Sequence, residues 1–326
     1  MVSKKRIAVW GLGNHAIRNV VPAINQNENI ELYGLCSRNE KVLLQQSKEY
    51  KCISWVKEDE MLKDKNLDII YISTPTGLHF RQGLKVLSSG KHLWCEKPIT
   101  ESLQNTVALI EAAKANNLNI CEAFMYLYHP QYKRIKQYMT QELLGKTKSI
   151  HLSFGLPPLA NKGFRDIPEL GASCLLDVGS YTVSFITDLF PKKEIKIIHS
   201  KATIDKSTSV DQSGLVILEV DNKINCFLEW AYNRSYKNEV NIWCENGSLH
   251  SNRILSKPES YSHTINIRDQ NGSLSEERIQ SINHFNTMLE SFRNSIGDAE
   301  KHSEEIERIT SLASMLDKIK ESRTLK

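Results

Sequence analysis

Three short stretches of the chain hold residues whose types and spacing could do chemistry. In His92-Leu93-Trp94-Cys95-Glu96-Lys97-Pro98-Ile99-Thr100 an apolar run ends in a carboxylate, an ammonium group and a proline. Proline holds its own φ and restricts the residue before it, so the backbone should present Lys97 in one orientation. A lysine held that way can orient a reacting oxygen and stabilise charge on it. In the second stretch Asp177 and Tyr181 stand four apart at the expected start of a helix, a spacing that puts both side chains on one face. Oxidising an alcohol needs a group that takes the hydroxyl proton as hydride leaves the carbon, and a phenol with a pKa of about 10 needs a nearby positive charge to do so. Lys97 is therefore read as orienting the hydroxyl and stabilising charge, Tyr181 as proton donor or acceptor, and Asp177 as holding a neighbouring hydroxyl. Which of Lys97 and Tyr181 moves the proton stays open. The third stretch is Gly11-Leu12-Gly13-Asn14-His15-Ala16, a GxGxxA directly after the apolar run Ile7-Ala8-Val9-Trp10.

The elements around these stretches explain how they would be positioned. Gly11 permits a tight turn, Gly13 lets a pyrophosphate approach the backbone, and Ala16 allows close packing of the helix that follows. The second strand, Ile30 to Leu35, ends in Cys36-Ser37-Arg38-Asn39, where an acid for the ribose hydroxyls is usual in NAD binders. A hydroxyl and a guanidinium there suit a 2′-phosphate, so NADP(H) is preferred, with NAD(H) possible. Helices are expected at Glu40–Tyr50 and about Glu58–Leu62, with a short strand at Ile53–Val56 before the latter. The run Leu67 to Ser73 reads as a central buried strand broken by Thr74-Pro75-Thr76-Gly77, then a helix from about Leu78 to Ser89. After the Glu96-Lys97-Pro98 strand come a helix from Leu103 to Asn116 and a last strand, Asn119 to Ala123. This alternation describes a doubly wound parallel sheet, an α/β Rossmann domain over residues 1–123. Its cofactor-binding set would be Gly11, Gly13, Asn14, His15, Ser37, Arg38, Thr74, Pro75, His79, Glu96 and Lys97.

Residues 124–326 change in character. A helix from Gln131 to Leu144, closed by Gly145, precedes strands such as Ser149–Phe154, Ile195–Thr203, Leu215–Val220 and Ile224–Ala231. Asp221-Asn222, Glu245-Asn246-Gly247 and Gln270-Asn271-Gly272 are hairpin chemistry. Helices at about Ser281–Ser295 and Ser303–Lys320 finish an α+β domain with a large, mostly antiparallel sheet. Between Gly155 and Leu170, Lys162 and Arg165 could take a phosphate or remain solvated charges. The substrate-binding set is read as Lys97, Tyr126, Arg165, Asp177 and Tyr181.

The chain resembles the glucose-fructose oxidoreductase, inositol 2-dehydrogenase and MocA family over essentially its whole length. Gly11-Leu12-Gly13, Glu96-Lys97-Pro98 and Gly171-Ala172-Ser173-Cys174-Leu175-Leu176-Asp177-Val178-Gly179-Ser180-Tyr181 carry the resemblance. The segments EAFMYLYHPQ and FRDIPELGASCLLDVGSY are most similar to the dihydrodiol and xylose dehydrogenase branch. Leu127, where that branch often has arginine, and Ala172 and Ser173, where it has glycines, depart from it on the expected substrate side. The resemblance implies an NADP(H)-dependent oxidoreductase moving hydride to or from a sugar-like alcohol or carbonyl, and a homodimer or homotetramer built on an exposed sheet face. Alternatives are a nucleotide-sugar ketoreductase or dehydrogenase and, from another class, a non-catalytic NAD(P)-sensing regulator.

Composition bounds these readings. The 326 residues carry 42 Lys and Arg against 38 Asp and Glu, a formal charge of +4, and apart from Lys4-Lys5-Arg6 the basic residues are scattered, so no nucleic-acid footprint is present. Seven cysteines are widely spaced and include no CxxC, which implies buried thiols rather than disulfides or a metal site. There is no signal-peptide pattern and no apolar run of membrane length, so a soluble cytoplasmic protein is expected.

Overall fold

The computed structural model describes residues 4–325; the first three residues and Lys326, inside the expected domain spans, lie outside the described residues. The chain forms two compact units. One runs through Ala123 and also takes in Phe285–Ala313; the other comprises Phe124–His284 and the segment from Ser314 onward. The expected second domain, residues 124–326, includes residues 285–313. They group instead with the first unit, where Ile309 and Ile306 join the core built on Ile70, Leu93 and Ile120.

The first unit holds six parallel strands, β1 (Lys5–Trp10), β2 (Ile30–Cys36), β3 (Ile53–Trp55), β4 (Ile69–Ile72), β5 (His92–Cys95) and β6 (Ile120–Glu122). Their spatial order is β3-β2-β1-β4-β5-β6. All four residues of β4 are buried, as the centre of a sheet covered on both faces requires. Register aligns the strand ends: Trp10 pairs with Cys36 and with Ile72, Ile72 with Cys95, and Cys95 with Glu122. Consequently Gly11, Ser37, Ser73, Glu96 and Ala123 all leave the sheet at one edge, the edge at which such folds bind ligands.

The second unit is built on a nine-stranded sheet in the order β14-β13-β12-β11-β7-β10-β9-β8-β15. The strands are β7 (Thr147–Gly155), β8 (Ile195–Ile204), β9 (Asp211–Val220), β10 (Ile224–Ala231), β11 (Lys237–Cys244), β12 (Gly247–Asn252), β13 (His263–Asp269), β14 (Leu274–Ile279) and β15 (Thr324–Leu325). Neighbours are antiparallel except β7 with β10 and β8 with β15. Each of the three expected turns joins a hairpin. Asp221 and Asn222 both take positive φ, at 51° and 55°, as a type I′ turn demands. The helix expected to reach Leu144 runs only over Pro130–Thr140. Glu142 enters the left-handed region at φ 51°, and the Leu143 amide returns to the Tyr138 carbonyl at 3.0 Å, which closes the helix ahead of Gly145. The stretch Pro168–Leu189 has the length and hydropathy of a membrane span, but 83% of its most apolar window is buried inside the protein. It is a core segment whose apolar character serves the sheet it packs on.

Candidate active site

The glycine turn begins where β1 ends. Gly11 has φ +104°, and a Cβ there would lie 2.7 Å from the Ser73 carbonyl oxygen, so both backbone shape and packing require glycine. Gly13 differs: a Cβ built on it meets no atom within 4 Å. Its bareness answers no need of the protein's own packing and leaves an open approach to the start of a helix over residues 14–25, whose first amides lack intrahelical partners. The residues present therefore fit a dinucleotide pyrophosphate. Asn14 is exposed at this helix start. A π turn over Ala16–Val20 interrupts this helix.

At the end of β2, the Ser37 amide donates to the Trp55 carbonyl at 3.2 Å and the Ser37 hydroxyl accepts from the Asn39 amide at 3.2 Å. Asn39 caps the helix Glu40–Tyr50. Arg38 is exposed, and among the described residues its guanidinium has no partner. A cation projected from a capped turn without an internal acid is suited to an anion from solution.

The Glu96-Lys97-Pro98 stretch leaves β5 with a cis Lys97-Pro98 bond. Glu96 accepts from the Tyr71 hydroxyl and pairs with His15 Nε2 at 3.0 Å. Burial works against its charge, but His15, Tyr71 and Lys97 outweigh burial and hold its pKa down at about 2. Glu96 is thus a fixed anion that braces the site. His15, in the expected cofactor-binding set, pairs with Glu96 and rests against Phe285, ring centroids 5.5 Å apart. His79, also assigned to the cofactor, is fully enclosed: Nε2 lies 2.8 Å from the Thr74 carbonyl oxygen and Nδ1 3.0 Å from that of Pro98. Burial pushes its pKa down, and a neutral ring has one N–H to share between the two carbonyls. Thr74 donates to Gln82 Oε1 at 2.5 Å, and Pro75 precedes the helix Thr76–Ser88. Tyr71 was missed by sequence reasoning, although a tyrosine inside an otherwise aliphatic buried strand signals a hydroxyl with a dedicated partner.

In the second unit, Asp177 Oδ2 accepts from Arg165 Nε at 2.7 Å and from the Tyr232 hydroxyl at 2.9 Å. Burial opposes charge on Arg165, but Asp177 and Tyr232 raise its pKa, and burial with the Asp177 charge raises that of Tyr232. Two residues assigned separately to the substrate are therefore one ion pair. Lys162 pairs with Asp166 at 2.7 Å in an exposed bridge. Asp177 lies in a π turn, Leu175–Gly179, and Tyr181 in the α-helix Ser180–Leu189 that follows, so the α-helical spacing argument does not carry over unchanged. Gly179 packs flat on Trp230, where a Cβ would come within 2.8 Å of the indole, and this fixes the height of the turn. The Tyr181 ring stands edge-on to Phe124 and Phe154, both at 5.3 Å, with its hydroxyl 3.7 Å from Met125 Sδ. Tyr126, expected to touch substrate, is wholly buried, its hydroxyl 2.8 Å from Ser184 Oγ. Tyr126 belongs to an aromatic core with Tyr132 and Phe185. Tyr232 also escaped the sequence reading; the available signal was its place just past the end of β10.

Comparison with known proteins agrees with this architecture. Residues 5–124 match the oxidoreductase family with an NAD-binding Rossmann fold, and residues 132–250 match the GFO/IDH/MocA C-terminal domain. The chain is 24% identical over 253 residues to a dTDP-3,4-didehydro-2,6-dideoxy-alpha-D-glucose 3-reductase of Saccharopolyspora spinosa, covering 78% of this chain and 76% of that one. It is 28% identical over 247 residues to a D-xylose 1-dehydrogenase (NADP(+)) of Haloferax volcanii, covering 75% and 74%. The fold matches that of a 3-ketoreductase from Actinomadura kijaniata in complex with NADP and TDP-benzene, with a TM-score of 0.94, 22% identity and 99% of each chain covered. With both halves matched, the chain belongs to the GFO/IDH/MocA family of NAD(P)-dependent oxidoreductases.

Proposed function

We propose that the protein transfers hydride between NADP(H) and a sugar-like alcohol or carbonyl. The observation that carries this reading is the shared sheet edge: the glycine turn after β1, Ser37 and Arg38 after β2, and Lys97 after β5 all leave the sheet at the same edge, and among the described residues Arg38 has no partner. The glycine turn and the helix start hold the pyrophosphate, and Ser37 and Arg38 hold the 2′-phosphate. When bound, the nicotinamide supplies or accepts the hydride. Lys97 orients the reacting oxygen and stabilises charge on it, Tyr181 moves the proton, and Asp177, held in place by Arg165 and Tyr232, accepts a hydrogen bond from a neighbouring hydroxyl. A second reading, a nucleotide-sugar 3-ketoreductase, is supported by the dTDP-sugar reductases among the relatives and the TDP-benzene complex of the structural neighbour. The unit that runs through Ala123 and takes in Phe285–Ala313 is proposed as the cofactor domain, and the unit of Phe124–His284 with the segment from Ser314 onward as the substrate domain. The exposed sheet face bearing Trp243 and Leu274 supports a homodimer or homotetramer of a soluble enzyme.

The test is NADPH oxidation and NADP+ reduction, followed by absorbance, against D-xylose, D-glucose, trans-diols and dTDP-linked keto sugars. Turnover of free sugars supports the first reading and turnover confined to dTDP-linked ketones the second. Tight NADPH binding with no turnover of either class would favour the sensing alternative.

A further inference from the structure

Two buried ionisable side chains in the first unit take no part in the chemistry above, yet both hold the backbone that follows Lys97. His79 Nδ1 lies 3.0 Å from the Pro98 carbonyl oxygen, while its other nitrogen lies 2.8 Å from the Thr74 carbonyl oxygen. Glu122, the last residue of β6, accepts from the Ile99 amide at 2.7 Å through Oε1. Both side chains are about 1% exposed. Strand register explains the placement: Cys95 and Glu122 are partners, so the chain leaving β5 passes directly by the Glu122 carboxyl. Oε2 of Glu122 has no hydrogen-bond partner among the described residues, a costly arrangement to retain in a core.

We infer that His79 and Glu122 are positioning residues for Lys97, acting through the Pro98 carbonyl and the Ile99 amide. This rests on the reading of Lys97 as the residue that orients the reacting oxygen. A lysine acting on a developing charge must sit within a fraction of an ångström of its productive place, and its flexible stem cannot ensure that unless the backbone is pinned. With its single N–H on Nδ1, His79 donates to the Pro98 carbonyl and pins one side; Glu122 pins the other. The groups facing Glu122 are Arg308 and Glu305 of the helix Ala299–Ser322, the thiols of Cys95 and Cys121, and Lys97. The Glu305 carboxylate accepts from the Glu122 amide at 2.9 Å, and Arg308 donates to the Glu122 carbonyl at 3.3 Å. Burial lifts the Glu122 carboxyl to about 7, so the acceptor for the Ile99 amide strengthens as pH rises through neutrality.

The experiment uses the full chain with NADPH as the probe ligand. It follows amide hydrogen exchange at Ile99 and the NMR signal of isotopically methylated Lys97, assigned by its loss in Lys97→Arg, across neutral pH. Glu122→Leu should speed Ile99 exchange by about tenfold or more and move the Lys97 signal, with NADPH affinity unchanged. Glu122→Gln keeps an acceptor and should bring exchange to within about threefold of wild type, while erasing its dependence on pH near neutrality beyond the intrinsic rate. His79→Phe, which keeps a ring but no N–H, should move the Lys97 signal alone. Wild-type exchange and an unshifted Lys97 signal in folded Glu122→Leu and His79→Phe would overturn the inference. If those variants do not fold, persistence of the pH step in Glu122→Gln overturns it. Undiminished turnover by Lys97→Met would instead refute the catalytic reading and leave the exchange results standing.

Discussion

Arg38 and Tyr181 are the residues on which the functional reading is most exposed to measurement. Charge-assisted bonds to a 2′-phosphate contribute on the order of 2 kcal/mol, so wild type should bind NADPH about 30-fold more tightly than Arg38→Asp does. Fluorescence titration of NADPH and NADH against both proteins checks this, and equal affinities in wild type would remove the NADP preference. Tyr181→Phe deletes a hydroxyl and keeps the ring among Phe124 and Phe154, so packing is preserved. Its kcat should fall by about 10²-fold with little change in melting temperature or NADPH affinity. Lys97→Met should abolish turnover while NADPH affinity stays within about threefold, because the glycine turn holds the phosphates independently. An active Tyr181→Phe beside an inactive Lys97→Met would move the proton-transfer role to Lys97 or a bound water.

Among the elements, the second unit hides a group of bases that the reaction does not use. His129 and His263 stack edge to face, ring centroids 4.6 Å apart, and Lys257 donates to Gln131 at 2.5 Å in the same buried region. Burial, then the Lys257 charge, pushes His129 down to about 2 and His263 down to about 3, and burial lowers Lys257. The sign follows from proton counting: the unfolded chain protonates these histidines below about 6.5 and the folded one does not, so the unfolded state binds more protons. Stability should therefore fall as pH drops from about 6.5 toward about 3. His263→Phe, at a ring whose two nitrogens have no hydrogen-bond partner among the described residues, should flatten that slope. Urea midpoints measured against pH in wild type and variant decide it. Gly11 sets a second element-level expectation. Gly11→Ala forces a Cβ against the Ser73 carbonyl at positive φ, and should both lower the melting temperature and weaken NADPH binding.

Across the whole molecule, the open face of the nine-stranded sheet carries Trp243 at 68% exposure and Leu274 at 70%. A second copy of the chain covering this face would remove both from water, so light scattering should report a dimer or tetramer in wild type and a shift toward monomer in Trp243→Glu. The sequence by itself determined what depends on local pattern. The parallel strands show as apolar runs ending in glycine or charge, the hairpins as Asp-Asn and Asn-Gly pairs, and the turn after the first strand as GxGxxA. These features are legible because each is set by neighbours a few residues away. Tertiary structure alone decided the rest. His15 and His79 stand in the expected cofactor-binding set; only pairing across the sheet shows that His15 is engaged by Glu96 and that the His79 ring lies between two carbonyls. Tyr126 sits in a motif yet lies in the core, and Tyr232 reaches Asp177 across 55 residues of chain. The grouping of residues 285–313 with the first unit has the same cause. Partners brought together by folding over such separations leave no local periodicity, so no window of sequence contains both sides of the contact.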